Sequence, residues 1–109
     1  MSRHPHEVAD RRSLALHEQV AQRLLRDPLV VDRARQVVAQ WCVTQSVSSE
    51  YAEAWNRILA LSLVDIANTL REDSETATML RQVSPFVGVL SPRERWEVLR
   101  RERSTRSLP

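Results

Sequence analysis

The sequence has 109 residues and a mass of 12.6 kDa, which suffices for one hydrophobic core and is too short for two domains. Hydrophobic residues make up 42% and charged residues 28%, a balance that excludes a wholly disordered chain. The net charge is +2, too small an excess to indicate a nucleic-acid-binding protein by itself.

The charges are unevenly distributed along the chain. Residues 1–43 carry seven arginines against five acidic residues, residues 44–80 carry two against six, and residues 81–109 carry seven against three. We therefore expect a protein that is acidic in its middle and basic at its end.

Apolar residues recur at helical spacing from residue 13 to residue 103 and predict six helices. Residues 1–12 carry few apolar side chains and are expected to form a flexible arm, and residues 104–109 a flexible tail. The first helix ends near Arg26, and Asp27 and Pro28 start the second. Because this link is short, we expect the first two helices to pack as a hairpin.

Serines mark the later helix starts. Ser48 or Ser49 opens the third helix, Ser62 caps the fourth, and Ser74 or Asp73 caps the fifth. The apolar residues expected to face inward include Leu24, Ala34, Trp41, Trp55, Ile66, Leu80, Trp96 and Leu99. No segment alternates as a strand would, so the predicted fold is all-α: a compact bundle of about five to six short helices in a single domain over residues 13–103.

Residues 84–101 contain the clearest helix start. Ser91 is positioned to cap a helix whose first residue is Pro92, and Glu94 stands where a capping-box acid belongs. The preceding run from Phe86 to Leu90 is too apolar for an ordinary solvent-exposed loop, and no periodicity assigns it to the core. It either covers the core or contacts a partner, and the arginines on both sides give it the composition of an interface.

Few side chains suit catalysis or metal binding. His17 lies on the apolar side of the first helix, where we expect a satisfied core or boundary histidine. Cys42 is the single cysteine, which excludes an internal disulfide, and we expect it to be buried. The acidic turn at residues 72–75 lacks the alternating ligands and the glycine of a calcium loop. With no phosphate-binding, dinucleotide or zinc motif, we expect neither an enzyme nor a protein that needs a cofactor or a metal.

The sequence also predicts a cellular compartment. No apolar run is long enough to span a membrane, and the N-terminus lacks the apolar segment of a signal peptide. Together with the single cysteine, these features predict a cytoplasmic protein with no membrane partner.

Residues 90–99 resemble the first helix of LuxR-type helix-turn-helix domains, which often begin with Leu-Ser/Thr-Pro-Arg-Glu-Arg. In that family the DNA-reading helix follows later in the chain, and too little sequence follows Leu99 for us to expect one here. The basic end could contact phosphates without sequence preference, although a solvated face is the commoner outcome for such a helix. A DNA-binding or transcription-regulating protein that uses this helix is therefore the alternative function.

A second resemblance covers most of residues 13–101. Tyr51-Ala-Glu-Ala-Trp55, Leu70 with the acidic turn after it, and above all Arg81-Gln-x-Ser-Pro-Phe-x-Gly-x-Leu-Ser-Pro-Arg-Glu-Arg-Trp96 are similar to small helical bacterial proteins encoded just before a nucleotidyltransferase-fold protein. This arrangement resembles toxin–antitoxin pairs in which the toxin acts on tRNA and the first gene encodes a MenA-like antitoxin. The resemblance implies an antitoxin-like protein that neutralises a cognate nucleotidyltransferase toxin by direct protein–protein contact.

We expect the partner interface to have two parts. An acidic part would face the toxin's phosphate-attracting cleft, and an apolar part would anchor the complex. The residues assigned to this interface are Glu72, Asp73, Glu75, Phe86, Val87, Val89, Leu90, Arg93, Arg95 and Trp96. A structural adaptor that forms a homo-oligomer through the apolar loop is the third possible class of function.

Overall fold

The computed structural model describes residues 5–107 of the chain, and the side chains of residues 7–104. Six α-helices and no β-strand occur in this described range, which confirms the predicted all-α fold. The helices are α1 (Pro5–Arg26), α2 (Leu29–Thr44), α3 (Ser49–Leu59), α4 (Leu63–Arg71), α5 (Glu75–Arg81) and α6 (Pro92–Ser107). Within residues 5–107, no helix is both long enough and apolar enough to cross a membrane.

The ends of the bundle differ from the predicted boundaries. Helix α1 begins at Pro5, so residues 5–12 of the expected arm are helical, and residues 1–4 lie outside the described range. Helix α6 continues through residues 104–107 of the expected tail. The first turns of α1 lie beside α6 and the turn between α4 and α5. These neighbours are distant in the chain, so the apolar pattern of residues 5–12 does not predict them.

Serine side chains cap α4 and α5 as predicted, whereas Ser48 at the start of α3 forms no side-chain capping hydrogen bond. The Asp65 amide N–H donates to Ser62 Oγ over 3.2 Å, and the Ala77 amide donates to Ser74 Oγ over 3.1 Å. At α6 the capping is reciprocal: the Glu94 amide donates to Ser91 Oγ over 3.1 Å, and the Ser91 amide donates to Glu94 Oε1 over 2.9 Å. This capping box is the one that the sequence predicts.

Helix α1 is the centre of the packing. It makes its most extensive contact with α4, packs also against α6, and has smaller contacts of similar extent with α5 and α2. The predicted packing of α1 and α2 as a hairpin is therefore wrong, because α1 packs mainly against α4 and α2 packs mainly against α3. The largest fully buried side chains at the centre are Leu24, Val31, Val38, Trp55, Leu59, Ile66 and Leu70.

Trp55 joins the helical core to the segment that follows α5. Its indole Nε1–H donates to the Val83 carbonyl over 2.6 Å. Its ring meets the ring of Phe86 edge to face, with centroids 5.9 Å apart and planes inclined by 70°. These contacts hold residues 82–91, the longest connection between described helices, against the bundle.

Candidate interaction surfaces

The apolar loop at residues 86–90 divides between core and surface. Phe86 is 4% exposed and Leu90 is 5% exposed, and both belong to the main hydrophobic core, while Val89 packs against it. Phe86 and Leu90 therefore cover the core and present almost no surface to a partner, contrary to their assignment to the interface. Val87, by contrast, is 79% exposed.

Trp96 also differs from its prediction as an inward-facing residue. It is 61% exposed, and the guanidinium carbon of Arg100 lies 5.0 Å from the centroid of its ring, in cation–π contact. Val98 is the buried residue of α6, and Leu99 is half-buried. The apolar pattern of this helix is too sparse to fix its inward face, so the sequence left the register undetermined.

A cleft of about 380 Å³ lies between α1, α6 and residues 82–90. We call it the basic cleft, because three arginines line it and no acidic residue does. Its lining residues are Ala9, Arg12, Ser13, Leu16, His17, Val20, Arg81, Gln82, Ser84, Phe86, Val87, Gly88, Leu90, Arg95 and Leu99. Of these, Phe86, Val87, Leu90 and Arg95 were assigned to the interface from the sequence. The cleft thus combines positive charge with an apolar wall.

A chain of hydrogen bonds lies at the base of the basic cleft. His17 Nδ1 lies 2.7 Å from the Ser13 carbonyl, which can only accept, so Nδ1 carries the proton. His17 Nε2 lies 2.8 Å from Ser84 Oγ, and the Phe86 amide donates to the same hydroxyl over 3.1 Å. The Ser84 hydroxyl therefore donates a hydrogen bond to Nε2 of His17. As predicted, His17 is a buried histidine with both ring nitrogens satisfied.

The environment of His17 favours its neutral form. Burial is the largest cause that lowers its pKa below 6.5, and the nearby charges of Arg81 and Arg95 lower the pKa further, while the bond to Ser13 opposes them. A neutral His17 keeps an acceptor for the Ser84 hydroxyl. The link between α1 and the 82–90 segment is therefore strongest when the histidine is uncharged.

The free energy of unfolding is expected to fall as pH decreases below 6.5. The unfolded histidine binds a proton in this window before the folded one does, at a cost of at most about 1.4 kcal/mol per pH unit. Urea unfolding between about pH 7.5 and pH 5, compared with the same series for His17→Asn, isolates this contribution. An equal dependence of the free energy of unfolding on pH in the wild type and in His17→Asn would contradict this contribution of His17.

A second groove, of about 560 Å³, borders α1 on another side. We call it the acidic groove, because five carboxylates from three parts of the chain line it. Its lining residues are Glu7, Asp10, Arg11, Leu14, Ala15, Glu18, Asp73, Thr78, Arg81 and Glu102. Of this set, only Asp73 was assigned to the interface from the sequence. Glu72 and Glu75 are exposed but do not line the groove.

The acidic residues of α1 were missed because the net charge of residues 1–43 is positive. A signal was nevertheless present in their spacing. Glu7, Asp10 and Glu18 are separated by three and eight residues, close to whole numbers of helical turns, so they share one face of α1. Among the described residues, no group of three or more potential ligands could hold a metal ion, so these carboxylates are spread along the groove.

Arg81 lies between the two clefts and lines both of them. It is 5% exposed and donates from Nη1 to the carbonyls of Glu72, over 2.6 Å, and Leu70, over 3.3 Å. Nη2 donates to Thr78 Oγ1 over 3.3 Å. Burial lowers the pKa of Arg81, and nearby carboxylates, with Asp73 the strongest, oppose this effect. The acidic groove thus supplies the negative charge that balances a buried guanidinium.

Comparisons with protein-family models, curated proteins and solved structures found no match for this chain.

The two arginines assigned to the interface from the sequence lie on α6. Arg93 and Arg95 are exposed, and neither forms an ion pair with another described residue. The Glu94 carboxylate between them accepts from Arg23 of α1, which ties the start of α6 to the end of α1. The hydrogen bond from the Ser91 amide is the largest cause that lowers the pKa of Glu94 below its ordinary value.

Cys42 contradicts its prediction as a buried thiol, since it is exposed near the end of α2. Trp41, its neighbour, is half-buried and packs against the core. Successive residues of an α-helix point about 100° apart, so Cys42 faces solvent although Trp41 beside it packs against the core.

Proposed function

We propose that the protein is a cytoplasmic antitoxin-like protein that binds a nucleotidyltransferase-fold toxin and neutralises it by direct contact, without catalysis of its own. The class of partner comes from the resemblance carried by residues 51–55 and 81–96. The observation that carries the mode of binding is the acidic groove, in which carboxylates from α1, α6 and the α4–α5 turn line one surface.

The charge of this groove fits the chemistry of such a partner. An enzyme that transfers nucleotides to tRNA has a cleft that attracts phosphates, and a surface with several carboxylates competes for the same positive potential. Because the carboxylates are spread out, they match an extended basic surface better than a single cation. Neutralisation then consists of occupying the cleft that the substrate needs.

The apolar part of the proposed interface is smaller than the sequence suggested. Phe86 and Leu90 are core residues, which leaves Val87 and Trp96 as its accessible members. Aromatic and arginine side chains at the centre of an interface often contribute most of the binding free energy. The stacked pair of Trp96 and Arg100 therefore remains a candidate anchor, on a different element from most of the acidic groove.

Neutralising the acidic groove is expected to weaken the complex. In the triple variant Asp10→Asn, Glu18→Gln, Asp73→Asn, the Kd for the nucleotidyltransferase encoded by the neighbouring gene should rise roughly 3- to 150-fold, because exposed ion pairs contribute about 0.2–1 kcal/mol each. The dependence of the Kd on salt should weaken in parallel. Calorimetric titrations at several salt concentrations measure both quantities.

A matched control separates this surface from net charge. Glu50→Gln, Glu53→Gln, Asp65→Asn removes the same number of exposed carboxylates from α3 and α4, away from the groove, and should bind as the wild type does. Thermal unfolding of each variant shows that the fold is retained. Equal affinity for the wild type and the groove variant, or no complex with the neighbouring nucleotidyltransferase, would overturn the proposal.

A further inference from the structure

The basic cleft has the features of a ligand site, and they are independent of the acidic groove. Arg12 of α1 and Arg95 of α6 are both exposed at the cleft, and neither forms an ion pair with any described residue. Elsewhere in the described range, Arg23 and Arg35 each have a carboxylate partner. Two unpaired guanidinium groups from different helices therefore border one concavity that carries no carboxylate.

The lowered pKa of His17 supports a positive electrostatic potential inside the cleft. Beyond the effect of burial, the charges of Arg81 and Arg95 both disfavour a proton on its ring. A field that disfavours a cation at this position favours an anion at the same place. The carboxylates that compensate the charge of Arg81 belong to the neighbouring groove or to the α4–α5 turn. None of them lines the basic cleft.

The rest of the cleft is suited to an apolar group. Leu16 and Leu99 are half-buried in its wall, to which the buried Phe86 also belongs. The volume of about 380 Å³ lies in the range of sites for small organic molecules, roughly 300–1,000 Å³. Ser13 and Gln82 add polar groups to a predominantly apolar lining, which is the usual composition of such sites.

We infer that the basic cleft binds a small amphipathic organic anion, a carboxylate joined to an aromatic or short aliphatic group. The carboxylate would pair with Arg12 and Arg95, and the apolar group would lie against Leu16 and Leu99. Charge-assisted bonds from arginine to a carboxylate provide orientation, and burial of the apolar group provides much of the affinity. The site lies within this chain, so it can be tested on the isolated protein, without the proposed toxin.

A titration with 1-naphthoate, followed by two-dimensional ¹⁵N NMR, tests this inference. We expect saturable binding with the largest shifts at the backbone amides of Ser13, Gln82 and Gly88, which line the cleft. The neutral analogue 1-naphthamide should bind at least about tenfold more weakly, because it lacks the charge that the two guanidinium groups recognise.

Paired variants complete the test. Arg12→Gln with Arg95→Gln should weaken naphthoate binding roughly 10- to 100-fold, since two charge-assisted contacts are lost. Arg33→Gln with Arg57→Gln removes two exposed arginines from outside the cleft and should leave binding unchanged. Absence of saturable binding, equal affinity for naphthamide, or wild-type affinity in the Arg12/Arg95 variant would overturn the inference.

Discussion

Phe86→Ala is expected to lower the free energy of unfolding by about 3–5 kcal/mol, the cost of removing a buried aromatic side chain and leaving a cavity. Phe86 is 4% exposed and meets the Trp55 ring edge to face. Since single domains are stable by only about 5–15 kcal/mol, this variant should be partly unfolded or close to it at 37 °C. Urea unfolding followed by tryptophan fluorescence and circular dichroism measures the loss.

The neighbouring residue provides the control for this prediction. Val87 is 79% exposed, so Val87→Ala should change the free energy of unfolding by no more than about 0.5 kcal/mol. The contrast between adjacent residues in one loop tests whether the segment covers the core. If Phe86→Ala were as stable as Val87→Ala and lost only partner binding, Phe86 would be an interface residue and the described packing would be wrong.

Arg81→Met is expected to lower the free energy of unfolding by about 2–4 kcal/mol, because buried carbonyls lose their donors. The guanidinium donates to the carbonyls of Leu70 and Glu72 and to the Thr78 hydroxyl, and so closes the turn between α4 and α5. Methionine keeps much of the side-chain length while removing all donors. Chemical denaturation at neutral pH measures the effect.

Two further variants make the Arg81 prediction specific. Arg81→Lys should recover part of the loss, since an ammonium group can donate to one or two of these acceptors but cannot reproduce the planar fork. Arg33→Met, at an exposed position of α2, should be nearly neutral. A fully stable Arg81→Met protein would mean that relief from burying a charge outweighs the lost hydrogen bonds.

The two clefts on either side of α1 give the molecule its bipolar character. The sequence predicted this polarity as an acidic middle and a basic end, but the folded chain distributes it differently. Glu7, Asp10 and Glu18, from the formally positive first third, join Asp73 in the acidic groove. Arg12, from the same helix, joins Arg95 in the basic cleft. Charge is therefore segregated around the faces of one helix rather than along the chain.

The sequence by itself determined the six described helices and the starting points of α4, α5 and α6. Helical periodicity and capping are local: Ser62, Ser74 and Ser91 each accept from an amide three residues later, so the residue types suffice to place them. The burial of Trp55 and of His17 also followed from the apolar stripes to which they belong. These features depend on neighbours within one or two helical turns.

Only the tertiary structure decided which helices pack together and what the 82–91 segment contacts. The short α1–α2 link did not produce a packed hairpin, because α1 makes its main contacts with α4 and α6. Phe86 lies in the core because Trp55, far away in the chain, presents a ring edge and an N–H to this segment. Trp96 is exposed because α6 contacts α1 through Val98 and its neighbours. Such contacts depend on the summed burial of several helices, which no local pattern records.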